Sequence, residues 1–440
     1  MGLFGSSGIR GVVNVMMTPE LALKAGKALG TLHKNVVVGH DPRTSSHMIE
    51  DSLVAGLLSS GASVTRIGLV STPTLAYAAR EYDCGVMITA SHNPSEYNGL
   101  KFWNPDGMAF SLEQQEELEN LINSDIKGVS WDSVGIERSR GDAISNHIEA
   151  ILKNVDKQGI KVVVDCGCGS ACTITPYVLR EMGCKVISLN SQPDGHFPAR
   201  DPEPVDENLS ELKDAVRSFG ADIGIAHDGD ADRMMAVDDT GRLVTGDELL
   251  AYFCRHEAKS SLVCPVDVSM MVDRAAKGIK IYRTRIGDAF VSEEARKSGA
   301  DFGGETSGTW IFPRMSYCPD GIYAAAKLVE LAGKNGRISD AIKELPVYPL
   351  KRGGIKFEHG LDKEAIMCGV KAYIEDMKPL SLNTLDGIRA DFKDGWFLVR
   401  PSGTEPKIRI TAEAEDRDRA ESLYASAESI VKRCIEACRQ

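Results

Sequence analysis

No stretch of the 440-residue chain approaches the ~20 consecutive apolar residues that a bilayer span requires, so no membrane-spanning helix is expected. The opening residues, Met1 to Gly8, lack a basic stretch followed by an apolar core, so no secretory leader is expected there. Positive charge is in deficit: 51 Lys and Arg against 63 Asp and Glu leave a net charge of −12. A surface this acidic repels DNA, RNA and anionic lipid. Any anionic ligand must therefore be held by a local cluster of cations or backbone N–H groups. There is no CxxC pair, and the 11 cysteines are odd in number, which reads as the reduced thiols of a cytoplasmic protein. Cys166, Cys168 and Cys172, and likewise Cys434 and Cys438, read as buried thiols and not as metal ligands. Hydrophobic residues at 42% and charged residues at 26% are ordinary for a globular chain, and the length suggests about three domains.

The chain repeats itself. Val36 to Gly39 is an apolar run, followed by the polar loop His40 to Ser46, a helical pattern from Met48 to Ser60, a stop at Gly61 and a second strand from Ser63 to Gly68. A second copy runs from Lys161 through the loop Cys166 to Ser170, a helix to Met182, Gly183 and the strand Lys185 to Leu189. A third begins at Ser261, continues through Met270 to Lys277, stops at Gly278 and resumes at Ile279 to Tyr282. Apolar runs without alternation predict strands buried on both faces, hence a mostly parallel sheet covered by helices. The last quarter differs. Asp386 to Phe392, the turn Lys393-Asp394-Gly395, and the strands Trp396 to Arg400 and Lys407 to Ala412 predict an antiparallel sheet. A closing helix, capped by Asp416 or Asp418, follows. The expected architecture is α/β: three repeated α/β domains with mixed, mostly parallel sheets, plus a C-terminal α+β domain, around a central cleft. The expected domain boundaries give 1–150, 151–254, 255–350 and 351–440.

Four loops carry chemistry. Thr89-Ala90-Ser91-His92-Asn93-Pro94 follows an apolar strand; Ser and His side by side on a loop make a poor hydrolase pair, and Lys101 supplies a nearby cation. His227-Asp228-Gly229-Asp230-Ala231-Asp232-Arg233 places three carboxylates at alternate positions, which are costly to hold together without a hard cation such as Mg²⁺ or Ca²⁺. Arg233 can balance the remaining negative charge. It also stands where an EF-hand needs Gly, which excludes that loop type. Gly303 to Gly308 is a glycine-rich loop in which Glu305 and Ser307 can hydrogen-bond hydroxyls or an amine. Arg400-Pro401-Ser402-Gly403-Thr404-Glu405-Pro406 offers one Arg, two hydroxyls and a run of N–H groups, a cradle for phosphate. One such loop per domain places a metal-assisted phosphoryl transfer in the cleft.

These motifs, in this order, resemble the α-D-phosphohexomutase family: T-A-S-H-N-P at 89–94, D-G-D-A-D-R at 228–233, G-E-T-S-G at 304–308 and R-P-S-G-T-E-P at 400–406. The opening Phe4 to Gly11 resembles the family's F-G-T-x-G-I-R-G, with Ser6 in place of Thr. The resemblance covers essentially the whole chain. It implies an intramolecular phosphotransferase in which Ser91 carries a phosphoryl group and Asp228, Asp230, Asp232 and an oxygen on Ser91 hold Mg²⁺. Arg10, His92, Lys101 and Arg233 would surround the transferring phosphoryl. Glu305 and Ser307 would hold the sugar, and Arg400, Ser402, Gly403 and Thr404 the resting phosphate. A hexose 1,6-bisphosphate would be both intermediate and activator, and a homodimer is allowed.

The family's glucose and mannose enzymes tend to carry Gly-His in the third domain. Here Arg285-Ile286-Gly287-Asp288 is closer to the phosphoglucosamine mutases, and Asp288 could face a protonated amine. Glucosamine phosphate is therefore the expected substrate, with relaxed specificity. Phosphomannomutase/phosphoglucomutase activity is the alternative, followed by a sugar phosphatase or a non-catalytic binding protein.

Overall fold

The computed structural model describes residues 2–5, 8–358, 361–402 and 406–439. Among the described residues four sheets lie along the chain. In the first, the strands Tyr97–Trp103, Cys84–Ile88, Asn35–His40 and Ser63–Leu69 lie in that spatial order. The second sheet repeats the order with Met234–Asp238, Ile223–His227, Lys161–Asp165 and Lys185–Leu189. The third does so with Trp310–Ile311, Phe302–Gly304, Ser261–Pro265 and Lys280–Thr284. The sequence repeat is therefore a topological repeat. The sheets are mixed: pairing is parallel among the last three strands of each set, and the first strand of each set is antiparallel to its neighbour. Val36–Val38, Val162–Val164 and Leu262–Val263 are fully buried, as strands covered on both faces must be.

This topology fixes where chemistry can go. In each repeat a parallel strand ends, the chain makes a short loop, and it returns antiparallel beside itself. The loops 89–96, 228–233 and 305–309 occupy the same point in the three repeats, at the carboxyl end of a parallel strand, where open α/β sheets place their sites.

The C-terminal sheet is wholly antiparallel, in the order Leu350–Lys356, Lys407–Ala414, Gly395–Pro401, Ile388–Phe392 and Ser381–Asn383. Lys393-Asp394 makes the expected hairpin turn between Ile388–Phe392 and Gly395–Pro401. Asp416, not Asp418, caps the closing helix Arg417–Ala437, accepting from Arg419 N at 2.8 Å. Leu423, Ala427, Ile430, Val431, Cys434 and Ile435 bury its inner face against the sheet.

The second and third sheets share one core. A single apolar cluster runs from Ile151 to Leu345, across the expected boundary at 254/255. The reason is the helix Gly321–Asn335, buried on every side from Gly321 to Ala332; it leans on the second sheet although it follows the third in sequence. Cys166, Cys168 and Cys172 are buried, while Cys368 is exposed. Among the described residues no helix is long and apolar enough to cross a membrane.

Candidate active site

The strand Cys84–Ile88 ends at the first loop, which Thr89 and Ala90 open. Ser91 follows them with a left-handed backbone, φ 53°. A serine has no side-chain reason to adopt that conformation, so the surrounding bonds must impose it. The Ser91 N–H donates to Thr89 Oγ1 at 2.8 Å, and the Thr89 hydroxyl donates to Asp41 Oδ2 at 2.7 Å. The buried Arg43 guanidinium donates to the carbonyls of Ser91, Asn93, Pro94 and Tyr97, at 2.9, 2.6, 2.6 and 2.9 Å. Its Nε closes on Asp41 Oδ2 at 3.1 Å. One arginine thus gathers the whole serine loop.

The second loop packs directly against the first. A Cβ at Gly229 would lie 2.5 Å from the Ser91 carbonyl oxygen, so only glycine permits the approach. The Ser91 hydroxyl donates to Asp228 Oδ2 at 2.8 Å, and His92 Nδ1 lies 3.3 Å from the same hydroxyl oxygen. Ser91 and His92 do come within hydrogen-bond reach, but the shorter partner is the carboxylate. Thr72 ties the loops further, its N–H donating to the Asp230 carbonyl at 2.9 Å and its hydroxyl to Asp230 Oδ2 at 2.6 Å.

The cation closest to the aspartates is Lys101 and not Arg233. Lys101, opposite Met87 in the central strand pair, places Nζ 2.7 Å from Asp230 Oδ2 and 2.6 Å from Asp232 Oδ2. Arg233 reaches Asp228 Oδ1 through its backbone N–H at 3.2 Å, while its guanidinium lies 3.6 Å from Glu203. The reason is position: Lys101 rises from a buried strand beneath the carboxylates, whereas Arg233 closes their loop.

Burial and mutual repulsion push Asp228 well above the ordinary carboxylate range, and Asp232 upward as well. Burial opposes the ionisation of Asp230 too, but Lys101 and Thr72 hold it below that range. One oxygen from each of the three aspartates lies within 4.8 Å of the others. Asp230 Oδ1 and Asp232 Oδ1 are buried without a hydrogen-bond partner. Three converging carboxylates with orphaned oxygens fit a hard divalent cation with oxygen ligands. His92 is pushed down to about 3 by burial and by Arg233, Arg10 and Lys101, so its imidazole is neutral.

The third loop joins the second through a bridge between Arg233 and Thr309, and through Trp310 Nε1, which donates to the Met234 carbonyl at 2.8 Å. Glu305 accepts from Gly287 N at 2.6 Å and from the Thr309 hydroxyl at 3.1 Å. Burial, then the neighbouring Asp288, pushes Glu305 up to about 7. In the fourth loop Arg400 Nε donates to Asp386 Oδ1 at 2.7 Å, and Asp386 Oδ2 accepts from Ile286 N at 3.0 Å.

All four loops meet in one cavity of about 320 Å³, lined by Arg10, Ser91, His92, Lys101, Asp232, Arg233, Asp288, Glu305, Ser307 and Arg400 among others. Asp228 and Asp230 do not line it but hydrogen-bond Ser91 and Lys101, which do. Ser402 is buried and does not line the cavity, and Gly403 and Thr404 lie outside the described residues. Sequence reasoning missed Asp41, Arg43, Thr72 and Thr89, which hold the serine and aspartate loops in place. The signal for the first two was the H-D-P-R stretch at the carboxyl end of the first repeat's strand.

Residues 1–128 match the alpha/beta/alpha domain I of phosphoglucomutase/phosphomannomutase, 142–241 match domain II, 245–348 match domain III and 362–428 match the C-terminal domain. A protein of Methanocella arvoryzae named "Probable phosphoglucosamine mutase" is 75% identical over 440 residues, with all of both chains covered. The chain belongs to the phosphoglucomutase/phosphomannomutase family. The phosphoglucosamine mutase of Methanococcus maripaludis is 44% identical over 445 residues, covering 98% of this chain and 99% of its own. Among solved structures, a phosphoglucomutase/phosphomannomutase family protein from Burkholderia thailandensis has a TM-score of 0.87 at 25% identity, covering 99% of this chain and 97% of that one. Each of the four segments that match the phosphoglucomutase/phosphomannomutase domains contributes to the one cavity: Ser91 from the first, Asp232 from the second, Glu305 from the third and Arg400 from the fourth.

Proposed function

We propose that this phosphohexomutase interconverts glucosamine 6-phosphate and glucosamine 1-phosphate through phosphoserine 91 and a hexose 1,6-bisphosphate. The observation that carries the reading is the single cavity that joins a positioned serine, a cation cluster and a carboxylate pair. Its volume, about 320 Å³, suits a phosphorylated monosaccharide.

Phosphoserine 91 donates its phosphoryl to the free oxygen of the sugar phosphate. The bisphosphate turns over in the cavity and returns its other phosphoryl to Ser91. Arg10, Lys101 and Arg233 stabilise charge on the transferring group, and the neutral His92 adds a hydrogen-bonding partner beside Ser91 Oγ. Asp228, Asp230, Asp232 and an oxygen on Ser91 would hold Mg²⁺, which supplies positive charge against the phosphoryl oxygens. Arg400, which lines the cavity, holds the phosphate that is not reacting. The two ends must be separate because one phosphate rests while the other reacts.

The amine is read by Asp288 and Glu305 with Ser307. Two carboxylates facing one cavity repel, which is part of why Glu305 sits near 7, and a protonated amine relieves that repulsion. Comparing kcat/KM for glucosamine 6-phosphate, glucose 6-phosphate and mannose 6-phosphate tests the assignment. Glucosamine 6-phosphate is expected to be turned over best; a clear preference for glucose or mannose would assign the enzyme to the other branch of the family.

A further inference from the structure

A second group of metal-ligating side chains lies outside the cavity, on the first repeat. His40 ends the strand Asn35–His40, and His47 and Glu50 stand one turn apart on the following helix, Ser46–Ser59. One atom from each lies within 4.8 Å of the others. His40 Nε2 is 3.8 Å from Glu50 Oε2, and His47 Nδ1 is 3.9 Å from the same oxygen.

Three features distinguish the group from a chance meeting of polar residues. His40 Nδ1 lies 2.8 Å from the Asp41 carbonyl oxygen. A carbonyl only accepts, so Nδ1 carries the hydrogen; in the neutral imidazole this leaves the Nε2 lone pair toward Glu50, the arrangement that orients a ligating imidazole. Glu50 is 2% exposed and its Oε1 has no hydrogen-bond partner, which a buried carboxylate oxygen seldom tolerates. The His47 side chain is 78% exposed, so the group opens to solvent on that side.

Arg66 is the competing cation, 3.5 Å from Glu50 Oε2. It also donates to Asp51 and Glu137, at 2.8 Å each, and keeps both partners if Glu50 turns to an ion.

We propose that His40, His47 and Glu50 bind a transition-metal dication of the zinc type through two imidazole nitrogens and one carboxylate, with the remaining position open to water. Metal–ligand bonds of about 2.0–2.2 Å place tetrahedral ligands roughly 3.4 Å apart. The 3.8 Å between His40 and Glu50 closes to that value as the Glu50 carboxylate turns to the ion, and the 3.9 Å between His47 and Glu50 as the exposed His47 rotates. The donor set separates this site chemically from the aspartate loop, since imidazole suits zinc-type ions and an all-oxygen set suits Mg²⁺.

Titration of the full-length protein with Co²⁺ in excess Mg²⁺, followed by visible absorption and displacement with Zn²⁺, tests the proposal. The wild type should take up one Co²⁺ with the absorption of a four-coordinate ion. His47→Ala, a change at an exposed position, should weaken binding by ~10-fold or more without lowering Tm, and Glu50→Gln should weaken it as well. Equal Co²⁺ affinity in wild type and His47→Ala, or no four-coordinate absorption in the wild type, would overturn it.

Discussion

At one end of the cavity Lys101 is 2% exposed and closes on Asp230 and Asp232; at the other Arg400 is 30% exposed and closes on Asp386. The first end rests where three sheets are stitched together by Thr72, Arg233 and Trp310, above a core that runs from Ile151 to Leu345. The second end is carried by the C-terminal sheet. That sheet meets the rest of the molecule through a small apolar cluster of Val266, Trp396 and Leu398 with Met270. Polar contacts complete the junction: Arg389 donates to the Val266 carbonyl at 2.6 Å, and Met270 N donates to Glu413 at 2.7 Å. The reacting end is thus organised before substrate arrives. On the proposed reading, an incoming phosphate at the second end competes with Asp386 for an arginine that water already reaches. On the proposed mechanism, charge at the first end should govern kcat and folding, and charge at the second should govern substrate binding.

Ser91→Ala should show the largest effect. Turnover is expected to fall by ~10³-fold or more, and the intact mass should lack the ~80 Da of a phosphoryl group, while divalent-ion binding by calorimetry is retained. Lys101→Met tests the buried end next. Removing the cation leaves two buried carboxylates facing each other, and stability should drop by about 3–5 kcal/mol in denaturant melts. Added Mg²⁺ should recover part of that loss. Asp386→Asn, at the half-buried pair, should cost less, about 1 kcal/mol.

Arg400→Ala sharpens the contrast from the other side. KM should rise by ~10–100-fold, the worth of a charge-assisted contact, while phosphorylation of Ser91 by hexose 1,6-bisphosphate proceeds. Unchanged KM would remove Arg400 from phosphate binding.

A smaller effect follows pH. Glu305 sits near 7, so below that pH it takes a proton and the cavity loses a negative charge. The kcat/KM for the protonated amino sugar should fall on the acid side of pH ~7, by up to tenfold per unit, and Glu305→Gln should lack that limb. The stability sign is opposite. Folded protein binds this proton more tightly than unfolded chain, so Glu305 costs increasing stability as pH rises from 4.5 to about 7. Glu305→Gln should therefore gain Tm relative to wild type at alkaline pH.

Much of this arrangement was legible in the sequence because loops at strand ends carry their own chemistry. The spacing of Asp228, Asp230 and Asp232 announces a cation, and the repeated strand–loop–helix–Gly–strand pattern announces the sheets. What was not legible depends on contacts distant in sequence. Lys101 reads as a lone cation near Ser91, and only strand pairing shows that it lies beneath Asp230 and Asp232. Arg43 reads as part of a polar loop, yet it holds four carbonyls of the serine loop, 48 to 54 residues on. The shared core of the second and third repeats was hidden for the same reason, since the helix Gly321–Asn335 covers a sheet that precedes it.

The central claim is that Ser91 relays the phosphoryl group. The direct measurement starts from protein carrying isotope-labelled phosphate on Ser91, mixed with one equivalent of unlabelled glucosamine 6-phosphate and quenched after a single turnover. The account predicts label in the sugar 1-phosphate and unlabelled phosphate on Ser91. Label retained on the protein while product forms, or released as inorganic phosphate, would contradict it.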